Sequence, residues 1–224
     1  MCTQFTPTRN DRWVHEHLGV HLPTQPYPQE TFPGYAAPIV LLNEQQQITC
    51  TLARFGLIPH WAKDAQDAAR IGRKTYNARS ETVAQKPSYR TAWRKRQFAI
   101  ALLDDFFEPN WETGRAVRWR IKRADGQPMG VASLWDQWVD TTTGEVVTSF
   151  TMLTVNADGH PVMGRFHRPG DEKRSVVVLE PEQFSDWLSA DSKLAFKVTM
   201  KPEDGLLVTE IANPDNGAVQ AGLF

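Results

Sequence analysis

The 224-residue chain is short of cysteine, with only Cys2 and Cys50. Two thiols cannot build a disulfide framework, so the composition fits a reducing compartment. No Cys/His cluster has zinc-finger spacing, and no metal or other cofactor is expected. No apolar run approaches the ~18 residues of a membrane span. The start lacks the basic and apolar segments of a secretory signal. Together these gaps predict a cytoplasmic protein with no membrane partner, nucleoid-associated when it meets DNA. Net charge is nearly absent as well, at −1, which argues against a general nucleic-acid coat protein. Repeats and low-complexity linkers are missing too. One domain over residues 1–224 is expected, monomeric and long enough to form a core without staples.

The near-zero charge hides an asymmetry. Nine basic residues, among them Arg79, Lys86 and Arg90, fall between Arg70 and Arg96 against one acid, Glu81. Such a stretch is either a solvated surface or a confined anion-binding face. Eight tryptophans are present. Most belong in a core, but aromatic rings beside basic residues are also how single-stranded nucleic acid is held.

The patterning predicts a mixed α+β domain with mostly antiparallel strands. Trp13, Val14, Leu18 and His21/Leu22 have helical spacing over 10–22, with Asn10 or Asp11 as cap. IVLLNEQQQITCTLARFGLIP reads as a hairpin, and KPSYRTAWRKR and EPEQFSDWLSA as helices. FAIALLDDFFEP and GEVVTSFTMLTVNA are strand-like. VRWRIKRADGQPMGVASLWDQWV predicts a second hairpin turning at ADGQ, and LLVTEIANPDNG a final strand and turn.

Cys2 follows the initiator Met1. It is either an accident of the start or a reactive centre. Loss of Met1 would leave an N-terminal cysteine, with an amine of pKa ~7.7–8 beside a thiol of pKa ~8.5. That 1,2-aminothiol forms a Schiff base with an aldehyde, which the sulfur closes to a thiazolidine. Asn77 and Arg79 alternate in YNARSET, so on an extended segment they share one side. Asn77 offers hydrogen bonds and Arg79 a fork for phosphate, although N-A-R taken alone reads better as a structural turn. Glu108 follows two phenylalanines. It is either a desolvated acid–base group or a strand-end carboxylate in water. His167 lies on a loop with Arg165 and Arg168, suited to proton transfer or phosphate contact.

These residues, taken in order, resemble the SOS response-associated peptidase (SRAP) family, which shields abasic sites in single-stranded DNA. The resemblance rests on Cys2, FGLIPHW at 55–61, YNARSETVAQKPSYRTAWRKR at 76–96, DDFFEPNW at 104–111, RADGQPMGVASLWDQW at 123–138 and His167. It implies a barrel-like, mostly antiparallel sheet with flanking helices, self-removal of Met1, and a thiazolidine between Cys2 and the C1 aldehyde of an abasic deoxyribose. Asn77 would position the Cys2 backbone amine. Glu108 would be the acid–base group. His167 would assist proton transfers and β-elimination or reversal of the crosslink. Arg79, Lys86, Arg90, Arg165 and Arg168 would hold phosphates, and Trp61 would stack on or wedge against the DNA. The chain departs from the family at Thr3 and Gln4, where glycine and arginine are usual. It also departs at Gly34-Tyr35-Ala36-Ala37-Pro38, which lacks an asparagine, and in the longer HRPGDEKRSVVVL. Two other readings stand beside this one: an N-terminal-nucleophile cysteine amidohydrolase, whose fold stacks two sheets between helix pairs, and a non-catalytic single-stranded-DNA binder.

Overall fold

The computed structural model describes residues 2–199 and 205–212. Met1 and the turn expected after Ala212 lie outside them. Among the described residues the strands are β1 (Gln4–Pro7), β2 (Ala36–Leu42), β3 (Ile48–Phe55), β4 (Asn77–Arg79), β5 (Phe98–Asn110), β6 (Val117–Arg123), β7 (Met129–Val139), β8 (Val146–Asn156), β9 (Arg174–Val176), β10 (Val178–Leu179) and β11 (Leu207–Ile211). The helices are α1 (Asp11–Leu18), α2 (Ala65–Gly72), α3 (Arg90–Arg94), α4 (Phe184–Ser189) and α5 (Ser192–Val198).

Strands β2, β3, β8, β7 and β5 pair in a ring, closing a five-stranded barrel that leaves these strands no open edge. The fold is α+β, as expected, and the two stacked sheets that an N-terminal-nucleophile hydrolase needs are not its architecture. Most pairings are antiparallel, but β8 runs parallel to both β3 and β4.

β5 explains its own apolar run. Ala99, Ala101 and Leu103 point into the barrel, while Phe98, Ile100 and Leu102 alternate outward under the helices. Buried on both faces, the strand reads as continuous hydrophobic sequence. It then changes partners. Residues 98–103 pair with β7 and residues 105–110 with β6. The change falls at Asp104, the extra residue of a bulge opposite the Thr6/Pro7 step of β1.

This corrects the hairpin expected around ADGQ. β6 and β7 are consecutive, yet each pairs with a different half of β5 rather than with the other. Helix α1 is also shorter than its apolar spacing. Asn10 caps it by accepting from Trp13 N, and Gly19 ends it in the left-handed conformation at φ +69°.

In the barrel interior Phe55 meets Phe5 edge to face and stacks on Phe150, its ring 5.2 Å from each. The outer core joins Trp13, Trp93, Phe98 and Trp187 beneath α1, α3 and α4. All nine basic residues of the 70–96 stretch are exposed, spread from α2 through β4 to α3. No helix among the described residues is long and apolar enough to cross a membrane.

Candidate active site at the end of the barrel

β1 positions the start of the chain. Gln4 lies opposite Phe107 and Phe5 opposite Phe106, so the residues before β1 run toward the Glu108 end of β5. Cys2 is almost wholly buried and packs with the barrel-interior cluster. Its Sγ donates to the Gln4 carbonyl oxygen at 3.5 Å. Burial, and after it the nearby Glu108 charge, pushes the thiol well above its ordinary range. The sulfur is therefore a protonated thiol at neutral pH.

Asn77 holds Cys2 from the other side. It opens β4, which lies parallel on β8. Its Nδ2 donates to the Cys2 carbonyl oxygen at 2.7 Å. Its own carbonyl oxygen accepts from the Tyr89 hydroxyl at 3.0 Å. Asn77 Oδ1 is buried with no hydrogen-bond partner among the described residues.

Glu108 and His167 complete the cluster. Glu108 is buried on β5, and burial raises its carboxyl above the usual range. His167 Nε2 lies 3.4 Å from Glu108 Oε2. Burial first, with the Lys173 ammonium adding to it, lowers the imidazole to about 3. The ring is thus neutral at pH 7, and the contact is polar rather than an ion pair.

The loop carrying His167 is pinned. His167 N donates to the Pro109 oxygen at 3.2 Å, and Lys173 Nζ donates to the His167 and Arg168 oxygens at 3.2 and 3.0 Å. His167 itself sits at φ +65°, a left-handed conformation uncommon outside glycine. The surroundings thus hold a costly backbone geometry at the site.

The structure gathers Cys2, Asn77, Glu108 and His167, the four candidates drawn from distant stretches. The candidate DNA contacts fall differently. Arg79 is exposed and ion-paired to Glu172 at 2.7 Å. Arg165 forks onto Glu112 at 2.9 and 3.0 Å and lies 5.2 Å from the Trp119 ring. Arg168 lies 4.8 Å over the Trp111 ring. Lys86 and Arg90 are exposed, and Trp61 is the one exposed tryptophan of the eight. No hydrogen bond or ion pair among the described residues links Trp61, Lys86 or Arg90 to Cys2. The loop bearing Trp61 is nonetheless rigidly seated. Ile58 N donates to Ser149 Oγ at 2.8 Å, and Trp138 Nε1 donates to the Ala62 oxygen at 2.7 Å.

Gln4, one of the departures, has a structural use. Its amide hydrogen-bonds Glu30, which is also paired with Arg118 at 3.1 Å. Sequence reasoning missed Tyr89, Lys173 and Arg174. Only for Arg174 was there a signal, an arginine leading into the apolar run SVVVL. Among the described residues no group of three or more His, Cys, Asp or Glu could hold a metal.

The family model for SOS response associated peptidase (SRAP) matches residues 1–213, spanning every residue of this cluster. The chain belongs to the SRAP family. SRAP relatives include the abasic site processing protein YoqW of Bacillus subtilis (strain 168). It is 29% identical over 152 residues, which cover 67% of this chain and 62% of YoqW. Abasic site processing protein HMCES of Xenopus tropicalis is 27% identical over 152 residues, covering 60% of this chain and 43% of its own length. The chain thus spans less than two thirds of these relatives. A crystal structure of a Bordetella bronchiseptica protein superimposes with a TM-score of 0.86 at 32% identity, covering 95% of this chain and all of that one. A Bacteroides thetaiotaomicron protein, at 21% identity and TM-score 0.81 over 96% of this chain and 93% of that one, shares the SRAP fold.

Proposed function

We propose that this SRAP chain captures abasic sites in single-stranded DNA covalently, through Cys2 after loss of Met1. The observation that carries the reading is the convergence on Cys2: Asn77 on its carbonyl at 2.7 Å, with the Glu108–His167 pair beside it. The names of its abasic site processing relatives support the substrate.

Hydrolysis of the Met1–Cys2 bond consumes one water and frees the Cys2 amine. Burial holds the thiol protonated, so the amine attacks first. It adds to the C1 aldehyde of the ring-opened deoxyribose, giving a carbinolamine. Glu108, a carboxyl that burial raises above its ordinary range, donates a proton to the departing hydroxyl, and water leaves as the imine forms. The thiol then adds through sulfur to the imine carbon, and its proton passes to the ring nitrogen. The net products are one thiazolidine and one water. Asn77 fixes the Cys2 carbonyl, so amine and thiol approach the aldehyde in one geometry. Its unpaired Oδ1 is an acceptor suited to the amine hydrogens. Neutral His167, 3.4 Å from Glu108, orients that carboxyl and assists its proton transfers, in capture and in any reversal or β-elimination. Arg79, Arg165 and Arg168 hold phosphates, while Lys86, Arg90 and the exposed Trp61 extend the contact.

The test is incubation with a single-stranded abasic oligonucleotide, then denaturing electrophoresis. A slow-migrating adduct should form with the intact chain and disappear with Cys2→Ala. Equal adduct from Cys2→Ala overturns the mechanism, and binding with no adduct favours the non-catalytic reading.

A further inference from the structure

Beyond the Cys2 cluster, two guanidinium groups converge on one carboxylate. Glu172 Oε2 lies 2.7 Å from Arg79 Nη1, and its Oε1 lies 2.8 Å from Arg174 Nη1. Asn156 Nδ2 donates to the same Oε1 at 3.3 Å and also to Asp158 Oδ2 at 2.9 Å. Two guanidinium groups and an amide aimed at one set of anionic oxygens are the donors a phosphate takes.

The two arginines differ in what else they hold. The Arg174 side chain is buried, binds both oxygens of Glu81 at 2.8 and 2.9 Å, and donates to the Thr154 oxygen at 2.7 Å. It keeps a counter-charge if Glu172 leaves. For Arg79, Glu172 is the one ion-pair partner among the described residues. The Glu172 side chain is a third exposed, on the loop between His167 and β9, so it can swing into water.

We propose that Glu172 is an internal stand-in for a DNA phosphate, occupying the Arg79–Arg174–Asn156 site until single-stranded DNA displaces it. The proposal rests on the DNA reading above. Arg79 is two residues from Asn77 on the same face of β4, and Glu172 is five residues from His167. Lys173, the residue after Glu172, donates to the His167 oxygen at 3.2 Å, so the vacated site adjoins the loop that carries His167. The Arg79–Glu172 arm is exposed and therefore weak, and Arg174 keeps Glu81 when Glu172 leaves, so a phosphate can replace the carboxylate. Its presence lowers affinity for DNA in general and leaves retention of the target to the covalent step.

The test uses the full chain carrying Cys2→Ala, so that binding is non-covalent. Affinity for an undamaged fluorescent single-stranded oligonucleotide is measured by anisotropy across a salt series. Glu172→Gln should tighten binding about two- to fivefold. It should also steepen the slope of log K against log salt by up to ~0.7, the worth of one further phosphate contact. Arg79→Ala in the same chain should erase the gain. Glu182→Gln, an equal charge change at an exposed site before α4, should leave affinity unchanged. Three results overturn the proposal: no tightening, tightening that persists without Arg79, or the same tightening from Glu182→Gln. If the chain with Cys2 forms its adduct while any of these holds, only the Glu172 proposal falls. If no variant binds the oligonucleotide at low salt and no adduct forms, the DNA reading falls with it.

Discussion

Asn77 Nδ2 donates to the Cys2 carbonyl oxygen across 2.7 Å, joining residues 75 positions apart in the chain. The bond fixes the backbone that carries both candidate nucleophilic atoms. Asn77→Ala should slow adduct formation on an abasic oligonucleotide roughly a hundredfold, the usual cost of losing near-attack geometry. Because β4 stays paired with β8, the melting temperature should shift little. Single-turnover gel kinetics read the rate and thermal melting reads the control. An unchanged rate removes Asn77 from the mechanism.

Glu108 is placed as the proton donor to the departing hydroxyl. Glu108→Gln keeps shape and cannot donate an acidic proton. The expected loss in adduct rate is about a hundred- to ten-thousand-fold. Stability should move the other way with pH. The carboxyl is raised in the folded chain, so its contribution is present below the ordinary value of 4.5 and is lost as pH rises through the folded value. Urea melts of wild type and Glu108→Gln should therefore diverge above pH 4.5, with the variant gaining. Parallel curves would contradict a buried, raised Glu108.

His167 titrates with the opposite sign. Its folded value of about 3 lies below the ordinary 6.5, so the folded chain binds fewer protons than the unfolded one. Its contribution is full above about pH 6.5 and is lost as pH falls toward 3. Relative to His167→Asn, wild type should lose up to ~1.4 kcal/mol per pH unit across that window. Asparagine suits the left-handed backbone and does not titrate, which makes it the right reference. A constant difference between the two denaturation curves would show that His167 is not held neutral by burial.

Gly56 in FGLIPHW has a backbone reason. It sits at φ +109°, and a Cβ there would lie 2.2 Å from the Gly72 oxygen. Two backbones meet at this point, fixing α2 against the loop that presents Trp61. Gly56→Ala should cost at least ~1–2 kcal/mol from the left-handed conformation alone, with the clash adding to it. Gly114→Ala, also at positive φ but with nothing within 4 Å, should cost less. Equal losses in chemical denaturation would remove the close approach as the cause.

Much of the fold was legible where local pattern and tertiary role agree. The β2–β3 hairpin, α1 with its Asn10 cap and the β5 run were all readable. The ADGQ hairpin failed because a turn shows only that the chain reverses. Which strands pair was decided by the Asp104 bulge, where β5 exchanges β7 for β6. For the site, Cys2, Asn77, Glu108 and His167 were each picked out by residue chemistry with a bland alternative beside it, and only the family resemblance joined them, since no spacing in the chain ties them. Tyr89, Lys173 and Glu172 were not legible. Their roles consist of contacts to backbone oxygens and exposed arginines, which leave no periodicity.

The most direct measurement is intact mass of the chain before and after reaction with a single-stranded abasic oligonucleotide. The expected unreacted mass lacks Met1. The expected adduct mass is that chain plus the oligonucleotide minus one water, with the modification mapping to Cys2 after proteolysis. An adduct that retains Met1, or one that maps elsewhere and forms equally with Cys2→Ala, would contradict capture by the N-terminal cysteine.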